Sequence, residues 1–126
     1  MLNKPKLEEL CHDEFRDYII ELIQKDLSNI PPTMHCRRRD IAEALLACNK
    51  ATGERAEIKQ AVCNSVMNWS PSAVDHLTKY GFYTTKGRTH YKLRWRDCAH
   101  VMSISTSPSD RRNGANAKAD ATRIFF

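Results

Sequence analysis

The sequence predicts one mainly helical domain that carries a small β-hairpin. Three observations support this fold class: apolar residues recur at helical spacing over much of 7–69, a Ser-Pro pair marks a sharp boundary at 70–71, and aromatic and β-branched residues alternate with polar ones over 82–95. At 126 residues the chain has room for a single core, and its 41% hydrophobic and 28% charged content is typical of a globular protein.

The first predicted helix runs from Leu7 to Leu27. Apolar residues repeat along one of its faces, and acidic residues dominate the other; the apolar positions are Leu7, Cys11, Phe15, Tyr18 and Leu22. Pro31 and Pro32 end this region, because proline cannot donate an N–H and disfavours helix in the residue before it. The apolar stripe is wider than one short neighbouring helix needs, so residues 7–27 are also a candidate seam for a homodimer.

Two further helices are predicted before Trp69. One covers about Cys36 to Lys50, and the other covers about Glu54 to Asn68. Between them, Gly53 can end a helix in the left-handed conformation and Thr52 can cap the next one.

Three consecutive arginines, Arg37, Arg38 and Arg39, open the second helix and have two interpretations. Basic residues in a first turn oppose the helix dipole, at a cost of roughly a few tenths of a kcal/mol each, and a bound phosphate would relieve this cost. Alternatively, the arginines form a surface turn and pair with Asp40, Glu43 or the acidic first helix. The same charges support both interpretations.

A short fourth helix is predicted from Pro71 to Tyr80. Ser70 is a good N-cap, proline loses no hydrogen bond at the first helical position, and Gly81 can end the helix. Two strands follow, 82–86 and 89–95, around Gly87 and Arg88. In the second strand Tyr91, Leu93 and Trp95 share one face while His90, Lys92 and Arg94 share the other, as in a sheet packed on one side only.

Residues 103–126 are predicted to be a disordered tail, because they are rich in small and polar residues with almost nothing to bury. The predicted organisation is therefore an amphipathic helix with a proline-containing linker over 1–35, a folded domain over 36–102 and the tail.

Charge is concentrated in the middle of the chain. The net charge is +5, and it divides into −3 over residues 1–30, +7 over 31–96 and +1 over 97–126. Residues 79–96 contain six basic residues and no acidic one, a footprint typical of a phosphate-binding surface. The alternative is that the basic hairpin is an ordinary solvated face.

Composition and cysteine usage indicate a cytoplasmic protein. No apolar run approaches the ~18 residues of a membrane helix, and the charged N-terminal segment lacks the apolar core of a secretory signal. The five cysteines are odd in number and scattered, which favours reduced thiols. We therefore expect no membrane association, and association with the nucleoid if the protein binds DNA.

Three short clusters raise a zinc hypothesis: Cys11-His12, His35-Cys36 and Cys98-Ala99-His100. None has the C-x₂₋₄-C spacing typical of zinc sites, so we expect buried thiols, no metal and no cofactor. The chain also lacks a Gly-rich phosphate loop and the G-x-S-x-G and H-E-x-x-H motifs. We therefore expect no catalytic activity.

The order of elements over 37–95 resembles the winged helix-turn-helix superfamily. Residues 39–45 (RDIAEAL) are similar to the opening of a helix-turn-helix, and residues 72–83 (SAVDHLTKYGFY) are similar to the recognition helix and wing entry of bacterial metal-sensing and multidrug-sensing repressors. Gly87-Arg88 and the segment 90–93 resemble the wing tip and return strand. Unlike the short turn usual in that family, residues 50–69 separate the two motif helices.

The resemblance implies a winged helix-turn-helix with an extra long N-terminal helix, in which Ser72, His76 and Lys79 face the major groove of DNA. Lys86 and Arg88 on the wing would follow the backbone or the minor groove. Asp75 lies among these residues with the wrong sign for phosphate.

The sequence thus predicts a DNA-binding protein, a transcriptional or replication regulator that contacts duplex DNA through residues 70–80 and the basic hairpin 82–96. The predicted contact residues are Arg37, Arg38, Arg39, Ser72, His76, Lys79, Lys86, Arg88, Lys92 and Arg94. The alternative is a winged-helix protein-interaction module, an accessory or inhibitory subunit that binds an acidic partner. The acidic first helix and the small number of base-reading residues favour that alternative.

Overall fold

The computed structural model describes Asn3 and residues 5–88, 90–105 and 113–126. These residues form four α-helices, two 3₁₀ segments and one three-stranded antiparallel sheet, so the mainly helical fold with a small β-hairpin is confirmed. The elements are α1 (Glu14–Ser28), α2 (Arg37–Cys48), α3 (Glu54–Met67), 3₁₀ segments Pro71–His76 and Thr78–Tyr80, β1 (Phe82–Lys86), β2 (His90–Trp95), β3 (Val101–Ser105) and α4 (Asn113–Phe125). None of the described helices is long and apolar enough to cross a membrane.

The chain divides into two compact units, the N-terminal unit (residues 1–55) and the C-terminal unit (residues 56–126). The sequence instead predicted a boundary at residue 35, with the arginine-rich helix joined to the hairpin. The structure differs because α2 packs against α1. The guanidinium of Arg39 fixes the linker between these two helices by donating to the backbone oxygens of Pro31 at 2.6 Å and Met34 at 2.8 Å.

Helix α1 begins at Glu14 and not at Leu7. Asp13 has a left-handed backbone (φ 59°), which interrupts the helical path. Acidic side chains bind the backbone around this break: Glu14 accepts from the N–H of Leu10, and Glu9 accepts from the N–H of Phe15 at 3.4 Å. Such local side-chain bonds compete with helix formation and replace the missing helical partners.

A buried carboxylate ties α1 to the start of α3 within the N-terminal unit. Asp17 is fully buried and accepts hydrogen bonds from the backbone N–H of Thr52 at 2.8 Å and from its hydroxyl at 2.7 Å. The Thr52 hydroxyl oxygen in turn accepts from the N–H of Glu54 at 3.2 Å, and Gly53 has φ +87°. The predicted cap at Thr52 is therefore confirmed. Gly53 has the predicted left-handed backbone but does not end the second helix, because α2 already ends at Cys48.

The hydrogen bonds that Asp17 accepts lower its pKa by more than its burial raises it. Burial alone would raise the pKa of this carboxyl, but the bonds donated by Thr52 hold the pKa below its ordinary value. A second buried charge, Arg55, pairs with Glu21 of α1, and its guanidinium carbon lies 5.2 Å from the ring centroid of Tyr18. The acidic face of α1 thus serves largely to fix the turn before α3.

The sheet of the C-terminal unit has the strand order β1-β2-β3 and buries one face. Leu93 of the central strand lies opposite Thr84 on one side and Met102 on the other. The buried residues of this sheet face are Phe82, Leu93, Met102 and Ile104. The ring of Phe125 on α4 meets Phe82 edge-on at a centroid distance of 5.3 Å, and the ring of Trp69 lies 5.5 Å from that of Tyr91. The predicted one-sided hairpin is therefore present, with a third strand added.

The structure differs from the predicted disordered tail over 103–126. Residues 101–105 form β3, whose Met102 and Ile104 side chains are buried, and residues 113–125 form α4, whose Ala121 is fully buried. The small residues of this helix allow close packing: the Sγ atom of Cys63 on α3 lies 3.6 Å from the Thr122 hydroxyl oxygen. Residues 106–112 of the predicted tail, like Thr89 in the predicted second strand, lie outside the described residues.

The predicted α-helix over residues 71–80 is not present in the structure. Residues 71–80 form two 3₁₀ segments on either side of the fully buried Leu77. Gly81 then adopts φ +94° and leads into β1, and the indole N–H of Trp95 donates to the backbone oxygen of Tyr80 at 2.8 Å. The short segment is thus shaped by its attachment to the sheet.

The Asp17 cluster predicts an acid-sensitive contribution to stability. Since the folded pKa of Asp17 lies below the unfolded value of about 3.9, its contribution is present above about pH 4 and is lost as pH falls through the folded pKa. We expect Asp17→Asn to lower the free energy of unfolding by about 1–3 kcal/mol at neutral pH, measured by urea denaturation, and the difference from wild type to shrink in acid. The exposed Asp75→Asn is the control; a difference that persists or grows in acid contradicts this prediction.

A second prediction concerns Gly81. A Cβ atom at this position would lie 3.1 Å from Nε1 of Trp95, which is fixed by its bond to Tyr80, and would also displace the Arg96 side chain, whereas a Cβ at Gly53 would meet nothing within 4 Å. Gly53→Ala should therefore cost only the left-handed backbone term, about 1–2 kcal/mol, and Gly81→Ala should cost measurably more. Thermal and urea unfolding of both variants test this; equal losses would show that the space around Gly81 is not restrictive.

Candidate nucleic-acid interface

The second face of the sheet is open to solvent and carries basic and hydroxyl side chains. Lys92 lies between Thr85 of β1 and Ser103 of β3, and Arg94 lies between Tyr83 and Val101. We call this surface the open face; it consists of Tyr83, Thr85, His90, Lys92, Arg94, Val101 and Ser103. All seven are exposed or half-buried, and none is acidic.

The tip of the β1–β2 hairpin carries two more basic residues, although Lys86 lies opposite Tyr91 and therefore on the other face of the sheet. Lys86 ends β1 and Arg88 lies in the turn, and both are exposed. The N–H of Gly87 donates to the backbone oxygen of His90 at 2.8 Å, which closes the turn. Lys79, on the second 3₁₀ segment, is also exposed, and its Nζ lies 4.9 Å from the ring centroid of Tyr80.

The basic side chains of this surface are not neutralised by the described part of the chain. No described carboxylate lies within 4.0 Å of the charged atoms of the five side chains Lys79, Lys86, Arg88, Lys92 and Arg94. By sequence, residues 56–126 contain eleven basic and five acidic residues, whereas residues 1–55 contain nine and ten. The positive charge of the protein therefore belongs to the C-terminal unit.

Two of the three arginines at the start of α2 are used inside the N-terminal unit. Arg38 donates two hydrogen bonds to the carboxylate of Asp26, at 2.6 and 2.9 Å, and these bonds hold the pKa of Asp26 below its ordinary value. Arg39 donates to the linker carbonyls, and its Nη1 atom lies 3.6 Å from Oε1 of Glu43. Arg37 is exposed. The structure thus places Arg38 and Arg39 in the pairing arrangement that was the alternative to phosphate contact.

The predicted recognition segment does not form a regular α-helix. Ser72 and His76 are exposed on the first 3₁₀ segment, and Lys79 is on the second. With 3.0 residues per turn, positions four apart differ by about 120° around the axis and do not share one face. The Ser72 hydroxyl lies 3.0 Å from that of Ser70, and Asp75 is exposed beside them. Ser72 and His76 therefore do not share one face as the helical spacing implied, and Lys79 belongs to a separate segment.

Sequence reasoning missed the outer-strand members of the open face. Tyr83 and Thr85 alternate with Phe82 and Thr84, so the period-2 pattern of β1 already separates them. Ser103 lies between the buried Met102 and Ile104, but this short alternation is hidden in a serine-rich stretch. The alternation of buried and exposed residues was therefore present in both strands, and it was weak only in β3.

The candidate metal-binding residues are not brought together. Among the described residues no group of three or more His, Cys, Asp or Glu side chains is arranged to hold a metal ion. All five cysteines are free thiols; Cys63 is buried and Cys48 is exposed. Burial, followed by the nearby charge of Glu14, raises the pKa of Cys11 to about 11, which keeps this thiol protonated at neutral pH.

Comparisons with known proteins gave no match: no family model, no curated protein and no solved structure matches this chain. The winged-helix resemblance therefore rests on the pattern of residues 37–95 alone. The function proposed below depends on the surfaces that this chain presents.

Proposed function

We propose that this protein binds duplex DNA through the open face and the hairpin tip. The observation that carries the proposal is the set of basic side chains Lys92 and Arg94 on β2 and Lys86 and Arg88 at the tip, none of which has a described carboxylate within 4.0 Å. His90, Lys92 and Arg94 alternate with buried residues, so they recur on one face about every 6.8 Å along an extended strand. Lysine and arginine at such spacing displace the counterions that surround DNA phosphates.

Hydroxyl groups on the neighbouring strands support the same assignment. Thr85 and Ser103 lie on either side of Lys92, so each can donate a hydrogen bond to the same stretch of backbone as the lysine. Hydroxyl and basic side chains make most phosphate contacts in protein–DNA complexes, and these contacts position a protein without reading sequence. The open face therefore suits backbone contact.

Duplex DNA fits this surface better than a single strand does. Among the seven members of the open face, Tyr83, 42% exposed, is the one Phe, Tyr or Trp residue, and His90 is the one other ring on which a base can stack. Tyr91 and Trp95 lie on the other face, where Tyr91 packs on Trp69 and Trp95 bonds to Tyr80. Sheets that bind single strands stack successive bases on two or three aromatic side chains, whereas a two-stranded ribbon fits the major groove of a duplex.

In this proposal the β1–β2 hairpin serves as the wing of a winged-helix domain, and the 3₁₀ segments take the place of the recognition helix. The chain order α3, 3₁₀ segments and hairpin supports this architecture. Lys79 would extend the backbone contacts, and the exposed Ser72 and His76 would supply limited base contacts. The corresponding role is regulatory, in transcription or replication, and requires no catalytic group.

The proposal predicts a steep salt dependence that the open-face charges determine. We expect a labelled duplex of about 20 base pairs, roughly two helical turns, to bind with a slope of log K against log [NaCl] near −4 between about 50 and 200 mM, measured by fluorescence anisotropy. Lys92→Gln/Arg94→Gln removes two phosphate contacts, so the slope should become less steep by about 2 and affinity should fall about tenfold or more.

The control variant Lys50→Gln/Lys118→Gln removes the same charge from exposed positions outside the hairpin and should keep the wild-type slope. Equal losses in both variants, or absence of duplex binding at the lowest salt, contradict the proposal. Tighter binding of a single strand of equal length contradicts the duplex assignment. Competition by poly-L-glutamate as strong as by an equal charge of duplex would instead favour the protein-interaction module with an acidic partner.

A further inference from the structure

The N-terminal unit has an apolar groove between α1 and α2 that the proposed DNA interface does not use. The groove has a volume of about 480 Å³ and is open to solvent. Its apolar lining is Ile19, Leu22 and Ile23 from α1 and Ile41, Ala42 and Leu45 from α2, with Asp26 and Arg38 completing it. All of these residues lie within 1–55, so the groove belongs wholly to one unit.

Four large apolar side chains of the groove remain exposed. Ile19, Leu22, Ile41 and Leu45 are 38%, 46%, 47% and 42% exposed. Single exposed apolar residues are normal on protein surfaces, but a contiguous set that lines a concave surface is typical of an interaction site. Two packed helices with one apolar face uncovered offer a seat for a third helix, which would insert side chains at i, i+3, i+4 and i+7.

The charges around the groove identify the kind of helix that fits. Residues three or four positions away on a helix are surface neighbours. Around the four exposed apolar residues, the charged residues at these spacings are Arg16, Lys25, Asp26, Arg37 and Arg38. Asp26, the single acid in this set, is already bound by Arg38. The rim, defined as Arg16, Lys25, Arg37 and Arg38, is therefore cationic.

The acids elsewhere on α1 do not offset the rim, because they are used within the unit. Asp17 is buried against Thr52, and Glu21 pairs with Arg55. Arg16, Lys25 and Arg37 are exposed, and no described carboxylate lies within 4.0 Å of their charged atoms. Three cationic groups are thus available to a ligand that covers the apolar centre.

From this juxtaposition we infer that the groove is a docking site for an amphipathic helix of a partner protein, with an apolar ridge and acidic flanks. The ridge fills the space between Leu22 and Ile41, and the acidic flanks face the rim. A second copy of this chain is a poor occupant, because a two-fold contact through this face sets one cationic rim against another. The homodimer seam predicted over 7–27 is therefore replaced here by a complementary partner.

The probe for this docking site is a capped synthetic peptide of about 18 residues, or five helical turns, with leucine at i, i+3, i+4 and i+7 and glutamate at the flanking positions. Methyl NMR of the full chain labelled at Ile and Leu reports the contact. We expect saturable shifts at Ile19, Leu22, Ile41 and Leu45. A matched peptide with lysine in place of every glutamate should bind about tenfold more weakly.

Charge reversal of the rim makes the test specific. Lys25→Glu/Arg37→Glu should reverse the preference between the two peptides, whereas Lys6→Glu/Lys50→Glu, which changes the net charge equally outside the groove, should preserve it. Leu22→Gln/Leu45→Gln should abolish the shifts at the two isoleucines, and Leu7→Gln, at a residue 73% exposed outside the groove, should not. Because these side chains are exposed, the helical circular dichroism signal should be retained in every variant.

Several results would overturn the inference. These are absence of saturable shifts up to about 1 mM peptide, or equal binding of the acidic and basic peptides. Sedimentation that shows a dimer abolished by Leu22→Gln would assign the groove to self-association. Phosphatidylglycerol vesicles that broaden the same methyl signals, with no peptide preference, would assign it to a membrane surface. Because the DNA assay tests Lys92 and Arg94 of the C-terminal unit and the peptide assay tests the groove of the N-terminal unit, either proposal can fail while the other stands.

Discussion

The C-terminal unit depends on one constraint, the alternation of side chains across a sheet that is packed on one side. Phe82, Leu93 and Met102 are buried because helix α4 and the Trp69 ring cover their face, and this leaves Lys92 and Arg94 on the other face. A slip of one residue in the pairing of β2 would bury both charges and expose Leu93. The hydrophobic core and the basic surface are therefore fixed by the same register, and neither can be changed alone.

The N-terminal unit uses charge in the opposite way. Several of its charges are used in internal contacts: Asp17 holds the Thr52 turn, Arg55 pairs with Glu21, and the exposed Arg38 pairs with Asp26. Asp17 and Glu21 lie outside the lining of the α1–α2 groove, and Asp26 within it is bound by Arg38, so the groove has an apolar centre and a basic rim. The two units thus present surfaces of different chemistry, one mainly polar and cationic, the other apolar with a cationic border.

Local patterns were sufficient to predict the hairpin, the start of α3 near Thr52 and Gly53, and the two faces of β2, since each depends on residues close in sequence. The pattern could not predict β3 or α4. Residues 101–105 become a strand because they pair with β2, and α4 is held by the contact of Phe125 with Phe82, far away in the chain. The role of Arg38 was left open for the same reason, because its partner Asp26 is on another helix. The late start of α1 depends on carboxylates that bind backbone, a competition that apolar periodicity does not detect.

The position of β2 at the centre of the sheet has a consequence for the energetics of binding. His90, Lys92 and Arg94 are attached to a strand whose backbone is hydrogen-bonded on both sides, to β1 and to β3. Their Cα positions are therefore preorganised, and a ligand that engages them restricts side-chain rotamers but does not have to order the backbone. Under the proposed function, the conformational entropy lost on association would be correspondingly small.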